Sequence, residues 1–144
     1  MKKNEEPIIV EQTFNTSIDT VWNSITQIDQ MRQWYFENIP SFKPEVGFET
    51  QFNVKRQDRN FMHLWKVTEV VPKKMIAYNW KYDGIRGNSF VEFELFDENQ
   101  MTKLRLTHQV LEDFPDDIPE FKRESGLEGW KFFIGKSLKE FLEK

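Results

Sequence analysis

The sequence predicts an α+β domain: one antiparallel sheet of six strands, two short helices after the first strand, and one long helix at the C-terminal end. Three features predict it. From Phe48 to His108 the apolar residues alternate with period two, in runs parted by short polar turns. From Trp130 onward, Phe133, Ile134, Leu138, Phe141 and Leu142, with small Ser137 among them, fall on one stripe of a helix. Ile18, Val21, Trp22 and Ile25 form a second, shorter helical stripe. A chain that is mostly strand and ends in an amphipathic helix buries that helix against one face of its sheet. Where such a sheet curves, a hollow remains between sheet and helix, and function is expected there.

Ile8 to Asn15 reads as the first strand, with Ile8, Val10 and Phe14 on one face. Ser17 caps the first helix, and Thr20 three residues on makes the cap plain rather than a reciprocal box. Asp29 is expected to cap a short second helix through Met31 and Trp34. Pro40 and Pro44 mark a loop. Phe48, Thr50, Phe52 and Val54 alternate as the second strand, and Lys55 to Asn60 is a polar hairpin turn. Phe61, His63, Trp65 and Val67 give the third strand, which Pro72 ends. Ile76, Tyr78, Trp80 and Tyr82 give the fourth, and Asp83-Gly84 through Asn88 turns the chain. Val91, Phe93 and Leu95 give the fifth, Asp97 to Asn99 turns again, and Thr102, Leu104, Leu106 and His108 give the sixth. Short turns between successive strands imply an antiparallel meander. Lys103, Arg105, Thr107 and Gln109 interleave the last inward set, so one face is wet and the other covered. Glu112 to Asp117, around Pro115, reads as a solvated acidic linker. Pro119 suits the first turn of the final helix, expected near Pro119 to Glu143.

The length of 144 residues is expected to form one domain spanning 1–144, long enough for a substantial core. A formal charge of −4 argues against a nucleic-acid partner, because phosphate binding needs a concentrated positive field. The absence of Cys excludes disulfides and thiolate chemistry. No stretch approaches the ~20 apolar residues that cross a bilayer, and no apolar signal core follows the polar start. A cytoplasmic protein without a membrane partner is therefore expected. No phosphate-binding loop, dinucleotide-type glycine fingerprint, nucleophile elbow or zinc-type His-Glu motif appears.

Several segments together resemble a known family. They are Ser17-Ile18-Asp19-Thr20-Val21-Trp22-Asn23-Ser24-Ile25-Thr26 with Gln33-Trp34-Tyr35 after it; Val67-Thr68-Glu69-Val70-Val71-Pro72 followed by Ile76-Ala77-Tyr78-Asn79-Trp80; Thr102-Lys103-Leu104-Arg105-Leu106-Thr107-His108; and Gly129-Trp130. In this order they resemble small proteins related to the C-terminal domain of the activator of the ninety-kilodalton heat-shock chaperone ATPase. Those belong to the START and birch-pollen-allergen-like superfamily. The resemblance covers about Ile8 to Leu142 and implies a helix-grip fold, a curved sheet wrapped round the C-terminal helix. It also implies a ligand cavity between the two, a possible chaperone partner in stress response, and, from elsewhere in the superfamily, cyclase or hydratase chemistry. In that last case His108 or His63 would serve as general base and Tyr78 would orient the substrate. Family members usually carry a Gly just before the Val-x-Glu-Val-x-Pro run. Here that neighbourhood is His63-Leu64-Trp65, and a bulky Trp65 is expected to narrow the cavity.

The composition is 15% aromatic, with 14 Phe and 5 Trp beside only 6 Gly, so large rings either fill a core or line a pocket. The candidates for a cavity wall are Trp34, Phe36, Phe48, Phe52, Trp65, Tyr78, Trp80, Trp130 and Phe133. His63 and His108, the only histidines, lie on the inward face and join them. Each His is either a polar contact for a ligand or a buried, satisfied strand residue, and no catalytic partner is visible for either. Two histidines without nearby inward carboxylates fall short of a metal site, so neither metal nor cofactor is expected. Gly126 and Gly129 interrupt a helical pattern. They either let the helix approach the sheet, hold a cavity mouth open, or, for Gly126, end a preceding helix. The function expected is non-catalytic binding of a small apolar or amphipathic molecule between the sheet and the last helix.

Overall fold

A computed structural model describes residues 1–143. Six strands form one curved antiparallel sheet: β1 (Ile8–Phe14), β2 (Glu49–Arg56), β3 (Arg59–Val71), β4 (Met75–Tyr82), β5 (Asn88–Glu98) and β6 (Met101–Glu112). Their spatial order is β1-β6-β5-β4-β3-β2, so β2 to β6 run as a meander and β1 closes against β6. Irregularities in the pairing at Val67/Glu69 and at Asn88/Ser89 bend the sheet. The turn between β2 and β3 is tighter than the six polar residues suggested. Pairing runs to Arg56 opposite Arg59, and Gln57 takes a positive φ of 56° in the two-residue loop. Asn99 and Gln100 both take positive φ between β5 and β6, the geometry whose twist matches two paired strands.

The inward rows of neighbouring strands stand opposite one another. Trp65 faces Trp80, Val67 faces Tyr78, His63 faces Tyr82, and Val91 faces His108. That register sets aromatic rings side by side across β3 and β4.

Between β1 and β2 lie α1 (Ile18–Thr26) and α2 (Ile28–Trp34). Ser17 caps α1, its hydroxyl accepting from the Thr20 N–H at 3.3 Å. Asp29 does not cap α2. It lies inside the first turn, and Gln27 occupies the cap position without a side-chain bond. Asp29 there still meets the positive end of the helix.

The final helix starts later than expected. Pro119–Phe121 is a separate 3₁₀ turn, and α3 begins at Arg123. Lys122, extended at φ −79° and ψ 148°, breaks the two apart. α3 (Arg123–Phe132) passes through a π-helical stretch, Phe133–Leu138, into α4 (Lys139–Leu142), with helical backbone at each junction. The widened turn keeps Trp130, Ile134 and Leu138 facing inward.

The main core runs the length of the sheet under α1, α2 and the last helix. A second cluster, Phe61, Phe114 and Phe121, sits at the end where the β2–β3 turn meets the 3₁₀ turn. Phe114 corrects the reading of Glu112 to Asp117 as a wholly solvated linker, for its ring is 1% exposed. Gly87 makes room for that ring: a Cβ there would fall 2.4 Å from Phe114 Cδ1, and φ is +117°.

Candidate functional site

A cavity of about 150 Å³ opens between the sheet and the start of α3. Its floor is built from strand ends: Val54 and Arg56 of β2, Phe61 and His63 of β3, Trp80 and Tyr82 of β4. His108 of β6 lies at the back. The roof is helical, with Gly126, Gly129, Trp130 and Phe133 above and Phe36 at one side. Met1, Glu120 and Phe121 complete the wall.

The two helical glycines play different parts. A Cβ at Gly126 would lie 2.9 Å from Ile8 Cδ1 and 3.3 Å from Met1 Sδ, so its bareness lets the helix approach β1. A Cβ at Gly129 would meet no atom within 4 Å, and this glycine faces open space on the cavity wall. Neither ends a helix.

The two histidines also differ. His108 is fully engaged. Its Nδ1 accepts from the Trp130 indole N–H at 3.0 Å, which leaves the proton on Nε2, 2.9 Å from Ser89 Oγ. Ser89 Oγ–H in turn donates to the Trp80 carbonyl at 2.7 Å. Four groups on β4, β5, β6 and α3 thus form one closed chain. Burial pushes the His108 imidazole down to about 3, so it stays neutral.

His63 uses only one nitrogen. Its Nδ1 stands 2.9 Å from the Phe61 carbonyl, which can only accept, so Nδ1 carries the proton. Nε2 is then a bare acceptor. It makes no hydrogen bond among the described residues, is not sealed from the surface, and its residue lines the cavity. Burial lowers the His63 pKa to about 4, against a smaller raising effect of the Phe61 carbonyl. The ring is held by Phe52, stacked at 5.0 Å, and by Tyr82, nearly perpendicular at 4.7 Å.

At the opening, Arg59 bridges to both carboxylate oxygens of Glu120, with Nη1 to Oε1 at 2.7 Å. Arg56 lines the same opening and forms no ion pair among the described residues. The opening therefore carries Arg56, Glu120 and the N-terminal residue Met1, whose ammonium donates to the Phe121 carbonyl, with Arg59 reaching in to Glu120 from outside the lining.

Of the candidate wall residues, the structure gathers Phe36, His63, Trp80, His108, Trp130 and Phe133 around this cavity. It places the other five elsewhere. Trp34 donates its indole N–H to the Ser24 carbonyl and stacks on Tyr35 at 4.5 Å. Phe48 meets Phe42 edge to face at the far end of β2. Phe52 lies behind His63. Trp65 fills the middle of the fold against Tyr35, Tyr78 and Trp80, and so confines the hollow to one end, as its bulk suggested. Tyr78 is fully buried, its hydroxyl 2.9 Å from that of Tyr35, and burial raises both phenols so that neither ionises. Tyr78 is thus not placed to orient a molecule in this cavity. His108, with both ring nitrogens taken, has no lone pair left for a general base.

Arg56, Phe61 and Tyr82 escaped the list of candidates. Phe61 and Tyr82 stood in the inward rows of β3 and β4, so the alternation carried their signal. Arg56 reaches the opening because β2 pairs to its last residue, which turn length alone did not reveal. Among the described residues no group of three or more His, Cys, Asp or Glu converges on a metal position. No helix there is long and apolar enough to cross a membrane.

Comparison with known proteins agrees with this architecture. The family model described as Activator of Hsp90 ATPase homolog 1-like protein matches residues 15–143. Comparison with curated proteins found no match. A protein of known structure from Chromobacterium violaceum superposes with a TM-score of 0.80 at 17% identity, over 96% of this chain and 97% of its own. The Aha1 dimer of Colwellia psychrerythraea gives 0.73 at 22% identity, over 96% and 97%. DynU16, a protein of the dynemicin biosynthetic locus, gives 0.76 at 20% identity over 97% of this chain, which spans about half (48%) of DynU16. At these identities the likeness concerns the fold. The family match, which covers most of the chain, goes further: the protein belongs to the Activator of Hsp90 ATPase homolog 1-like family.

Proposed function

We propose that this protein binds a small apolar or amphipathic molecule, without transforming it, in the cavity between the sheet and the C-terminal helix. One observation carries the reading: a cavity of about 150 Å³ with largely aromatic walls, among them His63 with one ring nitrogen unpartnered. Ligand sites are typically apolar hollows with a few placed polar groups. The catalytic alternative is weaker on the same geometry. His108 is spent on structure, and no carboxylate is bonded to His63 to orient it as a base.

Trp80 and Trp130 line the cavity, so their fluorescence reports on occupancy. Titration of the purified chain with toluene should change that fluorescence and raise the melting temperature. Gly129→Leu, which grows a side chain into open space at the wall, should abolish both effects. Equal responses from wild type and Gly129→Leu would place binding elsewhere. The proposed cytoplasmic setting rests on the sequence alone, and cell fractionation checks it.

Family membership supports a second reading, association with a ninety-kilodalton heat-shock chaperone. A pull-down with the chaperone of the same organism, together with its ATPase rate, tests it. Absence of both binding and rate change would remove it.

A further inference from the structure

Resting on the cavity-binding reading, we infer that the ligand is a single-ring molecule whose hydroxyl donates to His63 Nε2 and whose acidic substituent faces Arg56 at the opening. Three features lead there. The first is size. In another protein an apolar cavity of about 150 Å³ holds one benzene, and the present cavity is about 150 Å³. One six-membered ring fills it, and anything larger must project through the opening.

The second is the bare acceptor. His63 is 5% exposed, and its Nδ1–H is committed to the Phe61 carbonyl, so Nε2 offers a fixed lone pair and no proton. Phe52 and Tyr82 hold the ring in that orientation. A purely apolar occupant would strip water from Nε2 and return nothing, which penalises it. A site built to hydrogen-bond a hydroxyl discriminates against the analogue that lacks one.

The third is charge. Glu120 is already bound by Arg59, whereas Arg56 on the same opening forms no ion pair among the described residues. Arg56, Arg59 and the Met1 ammonium stand against the single Glu120 carboxylate, so the opening keeps an excess of positive charge, which favours an anion on the part of the ligand that reaches it. Ring, hydroxyl and acid together describe a hydroxylated aromatic acid.

The test compares toluene, phenol, benzoate and 4-hydroxybenzoate as probes of the full chain, by calorimetry at pH 7.5. Phenol should bind about threefold to tenfold tighter than toluene, the worth of one neutral hydrogen bond. 4-Hydroxybenzoate should bind tightest, with an advantage over phenol that shrinks in high salt. Arg56→Gln, at an exposed position, should remove that advantage and leave phenol unaffected. His63→Phe should remove the preference for phenol while toluene still binds. The wild type supplies an independent readout. The ¹⁵N resonance of the unprotonated His63 nitrogen should move upfield with phenol, a stronger donor than water, and downfield with toluene, which strips its water. Toluene binding as tightly as phenol, or a preference for phenol that survives His63→Phe, overturns the inference and leaves cavity binding standing. Failure of all four probes, toluene included, overturns both.

Discussion

Both histidines are driven neutral by burial, and this makes the fold sensitive to acid in a defined window. An unfolded His takes up its proton near 6.5, whereas folded His63 waits until about 4 and folded His108 until about 3. Above 6.5 neither state is protonated and the full stability is present. As pH falls below 6.5, protons bind only the unfolded chain, so stability is lost until the folded values are reached. Each histidine then costs about 1.4 kcal/mol per pH unit, and the pair about twice that. Urea midpoints at pH 7.5, 6 and 5 should show this decline, and His63→Phe should show about half the slope. An unchanged slope would mean that His63 protonates in the folded state. Trp130 supplies a second prediction at this scale. It is 3% exposed, lines the cavity, and its indole N–H satisfies His108 Nδ1. Trp130→Phe keeps most of the ring and orphans that nitrogen, which should cost about 1–3 kcal/mol. Trp130→Ala removes the ring as well and should cost about 3–5 kcal/mol. Denaturant melts of the two variants separate the hydrogen bond from the packing.

The C-terminal helix shows how much of an element sequence can reveal. Its stripe from Trp130 to Leu142 was legible, because a period near 3.6 has one physical meaning. Its start was not. Pro119 fits a first helical turn in the α and the 3₁₀ geometry alike, and the break at Lys122 is made by tertiary placement of Phe121 in the second cluster. The π-helical stretch was equally silent, since one extra residue in a turn leaves the apolar spacing almost intact. Gly126 and Gly129 looked equivalent in sequence, and only the neighbours across the gap tell them apart. Gly129→Ala should therefore stabilise the helix by up to about 1 kcal/mol, the usual advantage of Ala over Gly. Gly126→Ala gains the same propensity but must displace Ile8, a buried side chain, and overpacking of that kind costs about 1–3 kcal/mol. Thermal melts should rank Gly129→Ala above wild type and Gly126→Ala below Gly129→Ala. The reverse order would show that the helix can slide away from β1 at no cost.

For the molecule as a whole, the meander and its covered face were readable from alternation alone, and the segments shared with the family pointed to the same architecture. The site was half readable. Alternation says which residues face inward, but not which part of the inward row is packed and which part is hollow. Trp34, Trp65 and Tyr78 pack, and Trp80, His63 and Trp130 border space, because Tyr35 reaches into the middle of the sheet and leaves the end of it bare. That end is closed by the cluster of Phe61, Phe114 and Phe121, which shares Tyr82 with the cavity wall. Tyr82 stacks on Phe121 at 4.6 Å and meets His63 nearly perpendicular at 4.7 Å, so its ring, together with Met1, joins the small cluster to the main core. The span 1–144 is accordingly expected to unfold as one cooperative unit, in the all-or-none manner of chains this size. Phe114→Ala tests this at a residue whose ring pairs with Tyr82 and Phe121 and with no tryptophan among the described residues. If the unit is single, the variant should lower the tryptophan-fluorescence midpoint by the equivalent of about 3–5 kcal/mol, as a buried Phe truncation does. Far-ultraviolet dichroism should shift with it. Were the end cluster to melt alone, the fluorescence midpoint would stay at its wild-type value. The cavity would then have a floor that opens independently of its roof.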